Sequence, residues 1–193
     1  MKIYIVLAHQ SPGSFNHAIA ETAAEQLRAR GHEVFYHDLY AEKFDPILDN
    51  DELTGDRPLD SVLQQHIDEM LAADGYIVVH PNWWNQPPAI LRGWQDRVLR
   101  QGKMYRFTEQ GVEGFLTGKR ALVFTTSNTP RDIQMQVFGD PLEDLWKKCI
   151  FAFCGVTNFA RRNFEPVNVS THEQRQAWLD EVRQLIGEQF SVA

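Results

Sequence analysis

Lys2-Ile3-Tyr4-Ile5-Val6-Leu7-Ala8-His9-Gln10-Ser11-Pro12-Gly13-Ser14-Phe15-Asn16 passes from an unbroken apolar run into a polar loop that holds a proline and a glycine. Ile3 to Ala8 shows no alternation, the mark of a strand covered on both faces in a parallel sheet. Beyond the loop, Phe15, Ile19, Ala23 and Leu27 recur every four residues until Gly31. That spacing predicts a helix, with Ser14 placed to cap it. The unit is therefore strand, loop, helix, and it repeats along the chain. Further strands are predicted over His32–Leu39, Gly75–His80, Arg120–Thr125 and, more weakly, Val156–Phe164. Pro58 precedes a helical face of Leu59, Val62, Leu63, Ile67, Met70 and Leu71. Pro87-Pro88 opens another of Ile90, Leu91, Trp94, Val98 and Leu99. Asp140-Pro141-Leu142-Glu143 caps a third, Leu142, Leu145, Trp146, Cys149, Ile150 and Phe153. Thr171 with Gln174 starts a fourth, Trp178, Val182, Leu185 and Ile186. Five strand–helix alternations predict a parallel sheet with right-handed crossovers and helices on both faces. Residues 40–57 and 101–118 read as long irregular segments.

Composition bounds the function. The chain has 193 residues, 43% hydrophobic and 23% charged, with a net charge of −7. This suits one domain over residues 1–193 and argues against a disordered chain or a general nucleic-acid binder. Two cysteines, Cys149 and Cys154, make no disulfide framework, and no apolar run reaches the length of a signal peptide or a membrane helix. The expectation is a soluble, cytoplasmic protein. The charge is unevenly spread: residues 42–60 hold seven acids against Lys43 and Arg57, whereas Arg92, Arg97, Arg100, Lys103 and Arg106 face Asp96 alone. Asp96 is one helical turn from both Arg92 and Arg100. The rest of this basic run, Lys103 and Arg106 above all, could steer a phosphate-bearing ligand.

In an open α/β sheet, ligands bind beyond the carboxyl ends of the strands. The first such end is His9–Asn16, small and hydroxyl-rich, feeding a helix N-terminus that suits an anion. Its spacing fits neither a dinucleotide nor a Walker loop, and an ordinary capped turn would look much the same. The second is Pro81-Asn82-Trp83-Trp84-Asn85-Gln86-Pro87-Pro88. Two adjacent tryptophans cannot share one periodic core position. They read as an aromatic wall for a flat ligand, or as one ring packed inward and one covering the sheet edge. The third is Thr125-Thr126-Ser127-Asn128-Thr129-Pro130, whose hydroxyls could close the site or form a turn. His32 and His37 are read as facing opposite sides of a strand, so no metal site is expected. His66, Asp68 and Glu69 read as solvated helix surface. Cys154 reads as an inert core thiol, Trp146 and Trp178 as core, and Trp94 as core or interface. No GxSxG nucleophile elbow is present.

These residues carry a resemblance. His9 with Ser14-Phe15-Asn16, Asp38-Leu39-Tyr40 with Phe44 and Pro46, and Pro81-x-Trp83-Trp84 are similar to the NAD(P)H:quinone oxidoreductase family. So are Pro88-Ala89-Ile90-Leu91-Arg92-Gly93-Trp94-x-Asp96-Arg97-Val98, Thr125-Thr126, Phe138-Gly139-Asp140 and Phe153-Cys154-Gly155. The likeness spans about residues 2–185. It implies a flavodoxin-like three-layer α/β/α sandwich with a five-stranded parallel sheet in the order 2-1-3-4-5. It also implies non-covalent FMN or FAD and NAD(P)H as donor. His9, Ser11, Ser14, Phe15 and Asn16 would take the flavin phosphate. Pro81, Asn82, Trp83, Trp84 and Asn85 would pass along the isoalloxazine, and Thr125, Thr126, Ser127 and Asn128 would contact its far side. A homodimer with its active sites at the interface is implied as well, along with ping-pong hydride transfer to a quinone or similar small acceptor. No catalytic side chain is expected, because the chemistry lies on flavin N5. The sequence departs from better-known quinone reductases at Ser127-Asn128, where they carry two glycines. It also has no tyrosine between Thr129 and Asp140, and Phe138 stands in the place of a histidine, so a proton relay through those side chains does not transfer. Two other readings share the resemblance: a one-electron flavodoxin-type carrier, and a flavoprotein regulatory subunit of a membrane potassium-efflux system.

Overall fold

Residues 1–191 are described in the computed structural model, so the last two positions of the domain expected over 1–193 lie outside the described residues. The central sheet is built from β1 (Lys2–Leu7), β2 (Glu33–Asp38), β3 (Gly75–Pro81), β6 (Arg120–Thr126) and β7 (Asn158–Phe164). All four pairings are parallel, in the order β2-β1-β3-β6-β7. With the separate hairpin described below set aside, this is the expected order 2-1-3-4-5. The apolar run of β1 divides by its period of two. Ile3, Ile5 and Leu7 enter one core with α1 (Phe15–Ala29) and α7 (His172–Gln189). Tyr4, Val6 and Ala8 enter the other, with α3 (Ser61–Ala72), α4 (Ala89–Val98) and the helical stretch after Asp140. Complete burial on both faces explains the missing alternation.

Helix starts follow cap chemistry. Ser14 Oγ accepts from His17 N–H, Asp60 Oδ1 from Leu63 N–H and Thr171 Oγ1 from Gln174 N–H. The Asp60 cap places the start of α3 after Pro58, and Val62 and Leu71 of its expected apolar face are exposed. The Asp140 helix runs through Pro141–Asp144 (α6) and continues as a π-helical stretch, Leu145–Ala152. The wider turn keeps Leu142, Trp146 and Ile150 buried but rotates Cys149 and Phe153 outward, so the expected six-residue stripe is not a single buried face. A second helical stretch unmarked by the sequence reading covers Arg131–Ile133 (α5) and Gln134–Phe138, again with a π-helical turn.

The two segments read as irregular contain structure. Residues 101–118 hold an antiparallel hairpin, β4 (Tyr105–Thr108) and β5 (Gly111–Gly114). Gly111 takes a φ of 124° at its turn, a conformation that glycine adopts without steric cost. Residues 40–57 hold α2 (Asn50–Thr54), capped by Asp49. This element brings the acidic segment onto the basic one. Glu52, 1% exposed, receives Arg97 Nη2 at 2.6 Å and Arg100 Nη1 at 2.8 Å, and Asp60 also meets Arg97 Nη2 at 2.9 Å. Arg92 pairs with Asp96 and Arg106 with Glu113. Four of the five cations in the basic run are thus paired within the protein, Arg106 at an exposed site, and Lys103 has no part in these pairs. Arg100 spends its charge on Glu52 rather than on Asp96. Among the described residues, no helix is long and apolar enough to cross a membrane.

Candidate functional site

Register sets the site. Leu7 lies opposite Val79, and Pro81 lies opposite Thr126, so β1, β3 and β6 end side by side and their loops converge. A cavity of about 280 Å³ opens there, lined by His9, Ser14, Phe15, Asn16, Pro81, Asn82, Trp83, Thr126, Ser127 and Asn128, with Val167 and Arg175 added. A second of about 350 Å³ shares Asn82, Ser127 and Asn128 and extends to Trp84, Asn85, Thr129, Gln134 and Phe138. The three strand ends expected from sequence therefore form one region.

Each wall has a local cause. The α1 N-terminus leaves first-turn N–H groups, those of Phe15 and Asn16 included, without intrahelical partners. Asn16 is 3% exposed; its Nδ2 donates to Thr126 Oγ1 at 2.9 Å, tying the first loop to the third. Trp84 and Asn85 have φ of 56° and 59° and form a tight turn closed by hydrogen bonds between Trp83 and Gln86. Left-handed backbone at a tryptophan is strained, and such strain clusters at functional sites. The reading with one ring packed inward is not found: Trp83 is 39% exposed and Trp84 97%, and each lines one of the two cavities. Beneath the turn, Trp146 Nε1 donates to His80 Nε2 at 2.9 Å, which leaves the His80 proton on Nδ1, facing the Pro81 carbonyl. Burial pushes the His80 pKa down to about 4, so β3 ends on a neutral, fixed imidazole. Burial also lowers the His9 pKa.

Two expected site residues stand apart. Thr125 is fully buried with its hydroxyl on Asn163, and Ser11 is exposed outside the cavity wall, its N–H donated to His9 Nδ1. Others were missed. Arg175, on α7, lies about 160 residues from the first loop in sequence and carries no local motif. Its Nε donates to Ser170 Oγ and its Nη2 to the Val167 carbonyl, holding the guanidinium at the cavity. Gln134 reaches Asn85 Oδ1 at 2.7 Å.

The polar cluster behind the sheet overturns the reading of His66 as surface. His66 is fully buried: its Nδ1 accepts from Trp94 Nε1 at 3.1 Å and meets Tyr4 Oη at 2.5 Å. Indole donates only, so the His66 proton is on Nε2, directed at Glu42. His37 lies between Glu42 and Glu69, at 2.9 and 2.6 Å. His37, Glu42 and His66 come close enough together to suggest a metal site, but a metal on His66 Nε2 would move the ring proton to Nδ1, against the indole N–H of Trp94 that Nδ1 accepts. Trp94 is core. Cys154 is buried, and its burial pushes the thiol up to about 11.

The first cavity suits a flavin mononucleotide moiety on two observations. Among the described residues, Asn16 Oδ1 and Asn82 Oδ1 are buried without a hydrogen-bond partner, and such acceptors call for donors from a ligand or water. The cavity also joins an anion-favouring helix end to a flat aromatic margin.

The family profile of the flavodoxin-like fold matches residues 1–186. An uncharacterized NAD(P)H oxidoreductase of Haemophilus influenzae is 35% identical over 188 residues, 93% of this chain and 91% of that one. The ribosyldihydronicotinamide dehydrogenase [quinone] of Mus musculus is 31% identical over 92% of this chain and 87% of its own. The crystal structure of Smu.1420 from Streptococcus mutans superposes with a TM-score of 0.86 at 33% identity, covering 97% of this chain and all of the other. With parallel sheet, loop convergence and these matches in agreement, the chain belongs to the NAD(P)H:quinone oxidoreductase family of flavodoxin-like enzymes.

Proposed function

We propose that the protein holds FMN or FAD in the joined cavities and transfers a hydride from NAD(P)H to a quinone or similar small electrophile. The observation that carries this reading is the convergence of the α1 N-terminus, two unpartnered buried carbonyls and the tryptophan turn in one place. The flavin supplies hydride acceptance and donation at N5. The chain's residues do the rest. Phe15 and Asn16 amides with Arg175 hold the phosphate, and the Asn16 and Asn82 carbonyls accept from hydroxyl or N–H groups. Trp83 and the 81–85 backbone flank the ring, and Thr126, Ser127 and Asn128 offer donors to its polar edge.

The reading extends to a homodimer. Trp84, Val137 and Phe138 are 97%, 65% and 53% exposed beside the second cavity, and apolar surface of this kind is normally covered. A second copy laid there would complete the acceptor pocket with apolar walls, and Phe138 would offer no proton. The free thiols Cys149 and Cys154 suit a cytoplasmic setting.

The test is a visible spectrum of the purified protein before and after anaerobic NAD(P)H. A flavin spectrum that bleaches, and parallel initial-velocity lines with a quinone, are the expected results. A chain that binds neither FMN nor FAD would overturn the reading, and intersecting lines would overturn its ping-pong order.

A further inference from the structure

An anion at the α1 N-terminus meets no lysine or arginine between His9 and Asn16. It meets instead a line of three hydrogen-bonded side chains from two elements. Ser14 Oγ and His17 Nδ1 are 2.9 Å apart, and His17 Nε2 and Asp38 Oδ2 are 3.1 Å apart. His17 is 8% exposed and is the third residue of α1. The other Asp38 oxygen accepts N–H groups of Tyr40 and Ala41 at 3.0 and 3.2 Å, so the carboxylate is oriented by backbone.

A carboxylate only accepts, so the His17 Nε2 carries a proton whether the ring is neutral or charged. The direction of the Ser14 hydroxyl then depends on Nδ1. In the neutral ring Nδ1 is an acceptor, Ser14 O–H points at it, and the oxygen presents lone pairs to the cavity. Those lone pairs repel phosphate oxygens. With a proton on Nδ1 the ring donates to Ser14 Oγ, and the hydroxyl proton turns to the cavity. The same proton sets a positive charge one side chain behind the anion.

We propose that His17 is a positioning residue that takes up one proton from solvent when a phosphate monoester occupies the α1 N-terminus, turning Ser14 into a donor to that phosphate. This rests on the flavin reading above. The ionisable groups nearest the ring are Asp38 from β2, His9 from the preceding loop with its ring centroid 6.1 Å away, and Glu21 one turn further along α1, while Arg175 from α7 stands on the wall of the cavity that Ser14 lines. Asp38 and the phosphate favour the added proton, and the positive end of the α1 dipole opposes it. His9, its pKa lowered chiefly by burial, does not compete for it.

The test is calorimetric titration of the full-length apoprotein with FMN and with riboflavin at pH 8, in buffers of different ionisation enthalpy. At that pH the FMN phosphate is already a dianion, so protons taken up are counted on the protein. FMN should bind with uptake of a large fraction of one proton, and riboflavin with none. His17→Gln should abolish the uptake, weaken FMN by about tenfold through loss of a charge-assisted hydrogen bond, and leave riboflavin affinity unchanged. Retained riboflavin affinity also shows that the variant is folded. FMN binding without uptake, or equal uptake by His17→Gln, overturns the proposal while the flavin reading stands. Binding of neither flavin overturns both.

Discussion

His37 shows how far a single side chain can depart from what its neighbours in sequence suggest. Burial alone would lower its pKa, but hydrogen bonds from both ring nitrogens to Glu42 and Glu69 outweigh that and raise it. Against burial, which raises it, the hydrogen bonds and charge of His37 and His66 hold the Glu42 carboxyl down at about 2. His66 is stacked on His37 at a centroid distance of 4.0 Å, and burial drives its pKa the other way, downward. A group whose folded pKa is raised adds stability that is complete below its unfolded value of about 6.5 and is lost as pH rises through the folded value. Urea unfolding of the wild type and His37→Gln from pH 5.5 to 8.5 should therefore show a wild-type advantage that is largest at the acid end and declines with pH. An advantage flat across that range would mean His37 is neutral in the fold. None of this pairing was legible in the sequence, because the partners come from a strand, a loop and a helix. Asn16 was legible as a site residue from its place after a helix cap; its unpartnered carbonyl was not.

Among the elements, helices with clear caps were the most legible, because a cap is local chemistry between residues two or three apart. The π-helical stretches and the short hairpin were not, since each is stabilised by what it packs against. Gly114 of β5 lies so close to the Cys154–Gly155 backbone that a Cβ would sit 2.1 Å from the Cys154 carbonyl carbon. Gly93 plays the same part on α4: a Cβ there would be 2.2 Å from the Pro46 carbonyl oxygen and 2.5 Å from its Cα. The family-like Gly93 is thus explained by contact with the 40–57 segment, which the buried Glu52–Arg97–Arg100 cluster clasps to the same helix. Gly93→Ala has to push backbone aside, at a cost of roughly 1–3 kcal/mol or more. It should lower the urea midpoint with little change in slope. A wild-type midpoint would show that the Pro46 segment moves freely.

At the scale of the whole molecule, the chain places its polar strand ends, its exposed Trp84 and its apolar Gln134–Phe138 turn on one side. Val137→Asp, which lies on no cavity wall, should convert the proposed dimer to a monomer in sedimentation while FMN binding persists, and should lower quinone turnover at least tenfold. A variant that sediments like the wild type would remove this surface from the assembly.

The sequence by itself determined the layered α/β architecture and the three loops that meet at the site. Both follow from periodicity and from the rule that ligands of an open α/β sheet bind beyond the carboxyl ends of its strands. Tertiary structure alone decided which charges cancel, which histidines are neutral, and that Arg175 joins a loop about 160 residues away. Pairing energies depend on distance and burial, and neither is a local property of the chain.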